Sequence, residues 1–321
     1  MAAALAFALA LALALAFALA LALAFLAVIP AGDLRVHLSL LLAGFSPDQQ
    51  LSNRNPDSTH PTALHHLYAG QPREVRTVKI TQLTPHAWQL TRLGLVNTYL
   101  VRESDGFTLI DSGLPGSANQ ILDAARRCGG QQGGYQICRL LLTHAHADHI
   151  GSFDQLSHLL GDAESAISRR DARLLPKPPA QDRSLDPGEP QCKVKGSYPG
   201  ARTTPTHFVS DGELYGSLRC IATPGHTPGH FSFLDERDGT LYAGDALVTV
   251  GGKAHISGWA PWFFPLPNFA TWHRPTARAS VQGLYDAITP ETPVQRIAAG
   301  HGPMLEGGRD LLEAALDEAT N

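Results

Sequence analysis

Thr143-His144-Ala145-His146-Ala147-Asp148-His149-Ile150-Gly151 sets three histidines and an aspartate within six positions, directly after the apolar run Leu140-Leu141-Leu142. Packing alone does not put so many polar groups at the end of such a run, because burying them costs free energy. The apolar run reads as a short buried strand. Asp148-His149-Ile150-Gly151-Ser152-Phe153 reads as the first turn of a helix, so the cluster sits on a strand-to-helix turn. His144 and His146 are two apart, and an extended backbone sends both side chains the same way. Asp148 and His149 follow as the chain turns and face a neighbouring point. That arrangement predicts two metals side by side. Neutral imidazole and carboxylate are suitable ligands for zinc, and for iron or manganese. The contrary reading is a polar turn with surface histidines.

Three further residues count against that contrary reading. His226 lies in Thr223-Pro224-Gly225-His226-Thr227-Pro228-Gly229-His230, after an expected strand at 214–222. Asp245 follows Gly244 at the end of a hairpin expected over 231–234 and 240–243. His301 lies in Gly300-His301-Gly302-Pro303, after a strand at 296–299. Taken singly, Asp245 and His301 are turn residues. Together His144, His146, Asp148, His149, His226, Asp245 and His301 form a seven-ligand set from four strand ends. Glycine directly precedes His226, Asp245 and His301, and glycine lets a backbone approach closely. Asp111, at the end of a strand at 107–110, reads either as a turn or cap residue or as a support behind the site. His230 is expected to pack or to orient its loop, and neither His255 nor His273 is assigned to catalysis.

The rest of the chain divides into three parts. Residues 1–32 are a low-complexity leader of Ala, Leu and Phe with no charge from Ala2 to Ile29. As a helix, residues 2–29 would run ~42 Å at ~1.5 Å per residue, beyond the ~30 Å needed to cross a bilayer. The leader has three readings: an uncleaved anchor, an atypical export signal, or a repeat outside the working protein. A membrane or exported location follows from the first two, a cytoplasmic one from the third. Residues 33–74 are polar and proline-rich, a linker, and its His60, His65 and His66 read as solvated. Residues 75–321 carry the catalytic domain. Strands are expected at 75–80, 87–90, 96–101, 107–110, 137–142 and 164–168. Helices are expected at 117–127 (Ser117 as N-cap), 153–160, 169–175, 275–288 and 308–319. Residues 176–205, rich in Pro and Gly, are either mobile or a lid. Residues 250–274 read as irregular and hold Trp259, Trp262, Phe263, Phe264 and Trp272, which either wall an apolar acyl or ring substrate or simply pack.

Across 321 residues the formal net charge is -4, and no basic stripe suggests nucleic acid. The expected partner is a small-molecule substrate, with membrane contact only through the leader. Cys128, Cys138, Cys192 and Cys220 fit no metal knuckle or redox motif. They read as ordinary thiols, with one disulfide conceivable in an exported protein.

His144-x-His146-x-Asp148-His149, then His226, Asp245 and His301, resembles the metallo-β-lactamase superfamily over about residues 75–319. The resemblance implies an α/β (α+β) fold, a four-layer αββα sandwich of two similar halves with metals at one edge. It implies one metal on His144, His146 and His226, a second on Asp148, His149 and His301, and Asp245 bridging them. Asp111 matches the family's aspartate at a strand end. Two divalent ions, zinc first and iron or manganese as alternatives, would share and acidify one water, whose pKa falls from ~16 towards ~7. That bridging hydroxide would attack a small ester, lactone or thioester, with Asp148 orienting it or taking its proton. Asp245 and the Thr223–His230 motif resemble lactonase-like and glyoxalase II-like hydrolases, including the N-acyl-homoserine lactonases, although glyoxalase II's C-terminal helical domain is not matched. The alternatives are a mononuclear iron enzyme resembling persulfide dioxygenases and a β-lactamase-type amide hydrolase. Outside enzymes, the alternative is a membrane-anchored binding protein that keeps a structural metal.

Overall fold

The computed structural model describes residues 78–129, 136–289 and 293–320. The leader, the linker with its three histidines, the start of the strand expected at 75–80 and most of the loop at 129–134 lie outside the described residues. Among the described residues no helix is long and apolar enough to cross a membrane.

The first sheet along the chain has seven strands in the order β1 to β7. Its strands are β1 (Lys79–Thr84), β2 (Ala87–Arg92), β3 (Val96–Arg102), β4 (Phe107–Ile110), β5 (Ile137–Leu141), β6 (Glu164–Ser168) and β7 (His207–Val209). The first four strands pair antiparallel and the last four pair parallel. The second sheet runs β15-β14-β11-β10-β9-β8. It is built from β8 (Leu214–Tyr215), β9 (Leu218–Ala222), β10 (Phe231–Asp235), β11 (Thr240–Gly244), β14 (Arg296–Ala299) and β15 (Leu305–Glu306), while β12 (Leu247–Val248) and β13 (His255–Ile256) pair separately.

Period-2 alternation assigns the layers. Leu100, Leu109 and Leu140 point out of the first sheet towards Ile121, Ala124, Phe153 and Leu156 of helices α1 (Ala118–Gly129) and α3 (Phe153–Leu160). Their neighbours Tyr99, Val101, Ile110 and Leu141 face inward and meet Cys220, Phe233, Tyr242 and Ala298 of the second sheet. The Tyr99 and Tyr242 rings lie 5.1 Å apart across that interface. On the far side Leu241, Ala243 and Ile297 pack against α6 (Arg274–Ala287) and α7 (Arg309–Glu318) through Val281, Leu284 and Leu312. Each such Leu or Phe contributes about 1.5–3 kcal/mol by leaving water. The result is the expected αββα order. α1 shows the logic locally: Ile121, Ala124 and Ala125 form its buried stripe, and Arg126 and Arg127 oppose the negative end of the helix dipole.

Several boundaries differ from the sequence reading. The strand expected at 214–222 is broken by Gly216-Ser217 into the hairpin β8–β9. The helix expected at 169–175 is only α4 (Arg169–Ala172). Ser117 precedes α1, but its hydroxyl donates to Leu114 O (2.7 Å). Residues 250–274 are more regular than expected, since they hold β13 and α5 (Leu266–Ala270). The four cysteines are all free.

Candidate metal centre

All seven sequence-predicted ligands converge at one edge of the sandwich. His144 and His146 lie between β5 and α2 (Ala147–Ile150), and α2 itself carries Asp148 and His149. His226 lies on the β9–β10 turn, Asp245 directly after β11 and His301 separated from β14 by one residue. Six of the seven are buried, and Asp148 is the exception, its side chain 31% exposed.

Three imidazole nitrogens face one another at the first position. His146 Nδ1 lies 3.1 Å from His144 Nε2 and 2.9 Å from His226 Nε2. At the second position, Asp148 Oδ2 lies 3.3 Å from His301 Nε2 and 3.9 Å from His149 Nε2. Asp245 stands between the two groups, with Oδ2 3.3 Å from both His226 Nε2 and His301 Nε2, and Oδ1 3.4 Å from His149 Nε2.

The outer nitrogens explain why the inner ones are fixed. His146 Nε2 faces Lys195 O (3.2 Å), His301 Nδ1 faces Leu95 O (2.8 Å) and His149 Nδ1 faces an Asp111 carboxylate oxygen (2.7 Å). Those oxygens can only accept, so the three outer nitrogens donate, and in neutral rings the inner nitrogens present lone pairs. His144 Nδ1 is 3.0 Å from Thr143 Oγ1, and His226 Nδ1 is 2.8 Å from Ser257 Oγ. Holding the outer nitrogen in this way orients a metal-binding histidine.

The site's electrostatics are those of a cation site. Burial and neighbouring histidines hold His144 and His226 well below the usual histidine value, and burial lowers His146 to about 4. Burial opposes charge on His301 too, but the Asp245 and Asp148 carboxylates raise it to about 10. Asp245 goes the other way: burial raises it, while His301 and His149 pull it well below the usual carboxylate range. Two buried atoms, His149 Nε2 and Asp245 Oδ1, make no hydrogen bond. A buried polar atom without a partner costs about 1–3 kcal/mol, and a divalent cation would supply the partner to both. The donor set of five imidazoles and two carboxylates fits zinc, iron or manganese.

The supporting residues were only partly legible. Asp111 is a support, the second of its two sequence readings. Its carboxylate accepts from Thr143 N (2.8 Å), Thr143 Oγ1 and His149 Nδ1. To do so it adopts φ +60°, a left-handed conformation uncommon for a residue with a Cβ. His230 orients its loop as expected. Its Nε2 accepts from Asp245 N (2.9 Å), and burial lowers it to about 3, keeping it neutral. The His255 ring pairs with Glu318 and the His273 ring caps α6, so neither ring is engaged with a metal ligand. Gly300 has a steric reason: a Cβ there would run into the Asp245 carboxylate and the His149 ring.

Sequence reasoning missed Asp171. It is fully buried, and its carboxylate accepts from Ala145 N (3.0 Å), Thr227 Oγ1 (2.7 Å) and Gly229 N (2.8 Å). It therefore ties the His144–His146 turn to the His226 turn. Its only sequence signal is Ser168-x-x-Asp171, which looks like a helix cap, and Ser168 Oγ does accept from Asp171 N (3.0 Å). The loop at 176–205 also reaches the site. Lys195 O receives His146, and the Tyr198 ring lies 4.7 Å from the His146 ring. Arg170 and Arg173 brace this loop through Glu189, Asp182 and Asp186.

The family model of the metallo-beta-lactamase superfamily matches residues 91–291. The chain is 44% identical over 246 residues to the uncharacterized protein YobT of Bacillus subtilis (strain 168), covering 75% of this chain and 99% of that one. It is 32% identical over 172 residues to the probable metallo-hydrolase YflN of the same organism, covering 49% of this chain and 62% of that one. It is 31% identical over 154 residues to the hydroxyacylglutathione hydrolase of Xanthomonas axonopodis pv. citri (strain 306), covering 47% and 46%. Among solved structures, the metallo-beta-lactamase FIM-1 from Pseudomonas aeruginosa in its mono-zinc form matches with a TM-score of 0.54 and 18% identity, covering 76% of this chain and 95% of that one. At that identity the likeness is one of fold.

Proposed function

The chain belongs to the metallo-β-lactamase superfamily and is a metal-dependent hydrolase of that family, and from that premise we propose that it works with two metal ions on a small ester, lactone or thioester. The observation that carries the dinuclear reading is the Asp245 carboxylate, whose Oδ2 is 3.3 Å from a nitrogen of each triad. His144, His146 and His226 would hold one ion, Asp148, His149 and His301 the other, and Asp245 both. Zinc is the first candidate and iron or manganese the next. Bound there, the ions would supply an acidified water and polarise the substrate's carbonyl oxygen.

The chain's own residues do the rest. Among the described residues, Thr143 Oγ1 is held by Asp111, Ser257 Oγ lies 2.8 Å from His226 Nδ1, and Thr271 Oγ1 donates to Pro267 O (2.7 Å). Water is the attacking group in this reading. Asp148, the most exposed of the seven, would orient that water or take its proton in this reading. Asp111, His230 and Asp171 hold still the turns that carry the ligands, so little reorganisation is needed at the moment of reaction. The thioester arm draws on the printed name of the hydroxyacylglutathione hydrolase. The lactone arm draws on the Asp245 and Thr223–His230 pattern.

The test is elemental analysis of the purified chain together with hydrolysis of a lactone and thioester panel. About two equivalents of metal with turnover support the reading. About one equivalent of iron, with oxygen consumption on a persulfide and no hydrolysis, would replace it with the mononuclear dioxygenase. Bound metal with no turnover on any substrate would replace it with a binding protein.

A further inference from the structure

The aromatic stretch singled out in the sequence splits in two. Trp272 and Phe264 are buried. Trp262 and Phe269 are not: 77% and 74% of their surface faces solvent, and Phe263 and Leu266 are exposed as well. Seven large apolar residues are exposed among the described residues, and four of them fall within positions 262–269. Scattered apolar exposure is ordinary, whereas a cluster marks a binding surface.

The segment is fastened to the metal centre at both ends. At one end the Phe264 ring lies 5.3 Å from the His301 ring and packs with Val248 and Ala260. At the other, Thr271 Oγ1 is 3.2 Å from His226 Nδ1, and Trp272 N donates to His226 O (2.9 Å). Between them Asn268 closes the segment on itself, with Oδ1 accepting from Ala260 N and Nδ2 donating to Ala260 O, both at 2.7 Å. Pro261, Pro265 and Pro267 stiffen it further. Residues 259–272 contain no charged side chain. The arm thus joins a histidine of one triad to a histidine of the other while holding four apolar side chains in water. A rigid arm loses little entropy when it binds.

We propose that this arm is the subsite for the apolar part of the substrate, so that the molecules hydrolysed are esters, lactones or thioesters bearing a long aliphatic or aryl chain. The inference rests on the hydrolase reading and names its substrate class. The occupant is apolar because the arm offers no charge and almost no free polar group. It is part of the substrate because the arm is continuous with His301 and His226.

The test uses the full metal-loaded chain and a series of acyl thioesters and lactones differing only in chain length. Full transfer of one methylene from water changes an equilibrium about fourfold, so kcat/KM is expected to climb about twofold to fourfold per added CH2. In Trp262→Ala and Phe269→Ala the slope is expected to flatten, with metal content unchanged. These side chains are exposed, so the fold does not depend on them. As a readout without turnover, calorimetry should show a medium-chain alkyl carboxylate binding the wild type more tightly than acetate, with the preference lost in the variants. Turnover with a flat chain-length profile, or slopes unaltered in both variants, would overturn the proposal. Concentration-dependent dimerisation, or sedimentation with neutral lipid vesicles, abolished by the same substitutions without an effect on the slope, would reassign the arm to a second copy or to a bilayer. No turnover on any member, with the chain-length preference in binding intact, would instead remove the hydrolase reading and leave the subsite standing.

Discussion

Replacing Asp171 by alanine removes one acceptor from three donors at once. Its carboxylate takes Ala145 N–H, Gly229 N–H and the Thr227 hydroxyl, all buried. Thr227 can rotate its hydroxyl, but the two backbone N–H groups cannot leave. Each buried donor left without an acceptor costs about 1–3 kcal/mol, so Asp171→Ala is expected to destabilise the domain by about 2–6 kcal/mol. Against a typical total of about 5–15 kcal/mol that is large but survivable. Ala145 separates His144 from His146, and Thr227 follows His226, so the lost bonds loosen all three ligands of the first triad relative to one another. Loss of such a support typically lowers metal affinity about 10–100-fold. Urea denaturation of the metal-free protein measures the first effect. Zinc titration with a competing chelator measures the second, and cobalt substitution reports the ligand geometry directly. A variant that unfolds at the wild-type midpoint would refute the hydrogen-bond accounting. One that is destabilised yet binds the first metal as tightly as wild type would refute the positioning role.

Asp245→Ala is expected to lose the shared ligand, the second metal and most activity, as read by metal analysis and turnover; full activity with both metals bound would contradict the bridging assignment. Metal loading should also depend on pH. Against burial, the Asp245 and Asp148 carboxylates raise His301 to about 10, and the Asp111, Asp245 and Asp148 carboxylates raise His149 well above the usual histidine value. A ligand nitrogen must be unprotonated, so filling the second site displaces a proton from each, whereas His146, at about 4, is already neutral. Affinity at the second site is therefore expected to fall about a hundredfold for each unit the pH drops where both are protonated, and calorimetry in two buffers of different ionisation enthalpy would show the released protons, or exclude them. Finally, burial raises the Asp171 carboxyl to about 6, so the folded protein keeps that proton after the unfolded chain has lost it. Stability from this group is full below the unfolded carboxyl value and falls by about 3 kcal/mol as the pH rises through about 6, at about 1.4 kcal/mol per unit; Asp171→Asn should show no such fall in denaturation curves of the metal-free protein.

The ligands could be read from sequence because each is an interruption. His144, His226, Asp245 and His301 are polar residues at the ends of apolar runs, a position packing does not explain. Strand alternation also carried the layers, since Leu140 and Leu141 must face opposite ways wherever a strand is buried on both sides. Asp171 was hidden because Ser168-x-x-Asp171 already has a sufficient local explanation as a cap, and its long-range bonds reach 26 to 58 positions along the chain. Leu95 and Lys195 were invisible for a different reason. They hold His301 and His146 through backbone carbonyls, and every residue has one. The aromatic stretch left two readings open because period and hydrophobicity are the same for a buried and an exposed tryptophan in a coil. Only the fold separates Trp272 from Trp262.

The two halves of the sandwich build the centre by the same move, with one difference of consequence. In the first sheet β4 and β5 run parallel with Ile110 opposite Leu141, and Asp111 follows one strand while Thr143-His144 follows the other. In the second sheet β11 and β14 run parallel with Gly244 opposite Ala299, and Asp245 follows one strand while Gly300-His301 follows the other. Each half therefore delivers an aspartate and a histidine from adjacent strand ends. What differs is where the left-handed residue falls. In the first half it is the aspartate itself, Asp111 at φ +60°, and its carboxylate turns back beneath Thr143 and His149. In the second it is the residue before, Gly244 at φ +51°, and the following Asp245 carboxylate reaches forward between His226 and His301. The L-residue strain is carried in one half by an aspartate fixed with several hydrogen bonds and avoided in the other by glycine. A shift of one position along equivalent strand ends thus makes one aspartate a support for a ligand and the other a ligand shared by both triads.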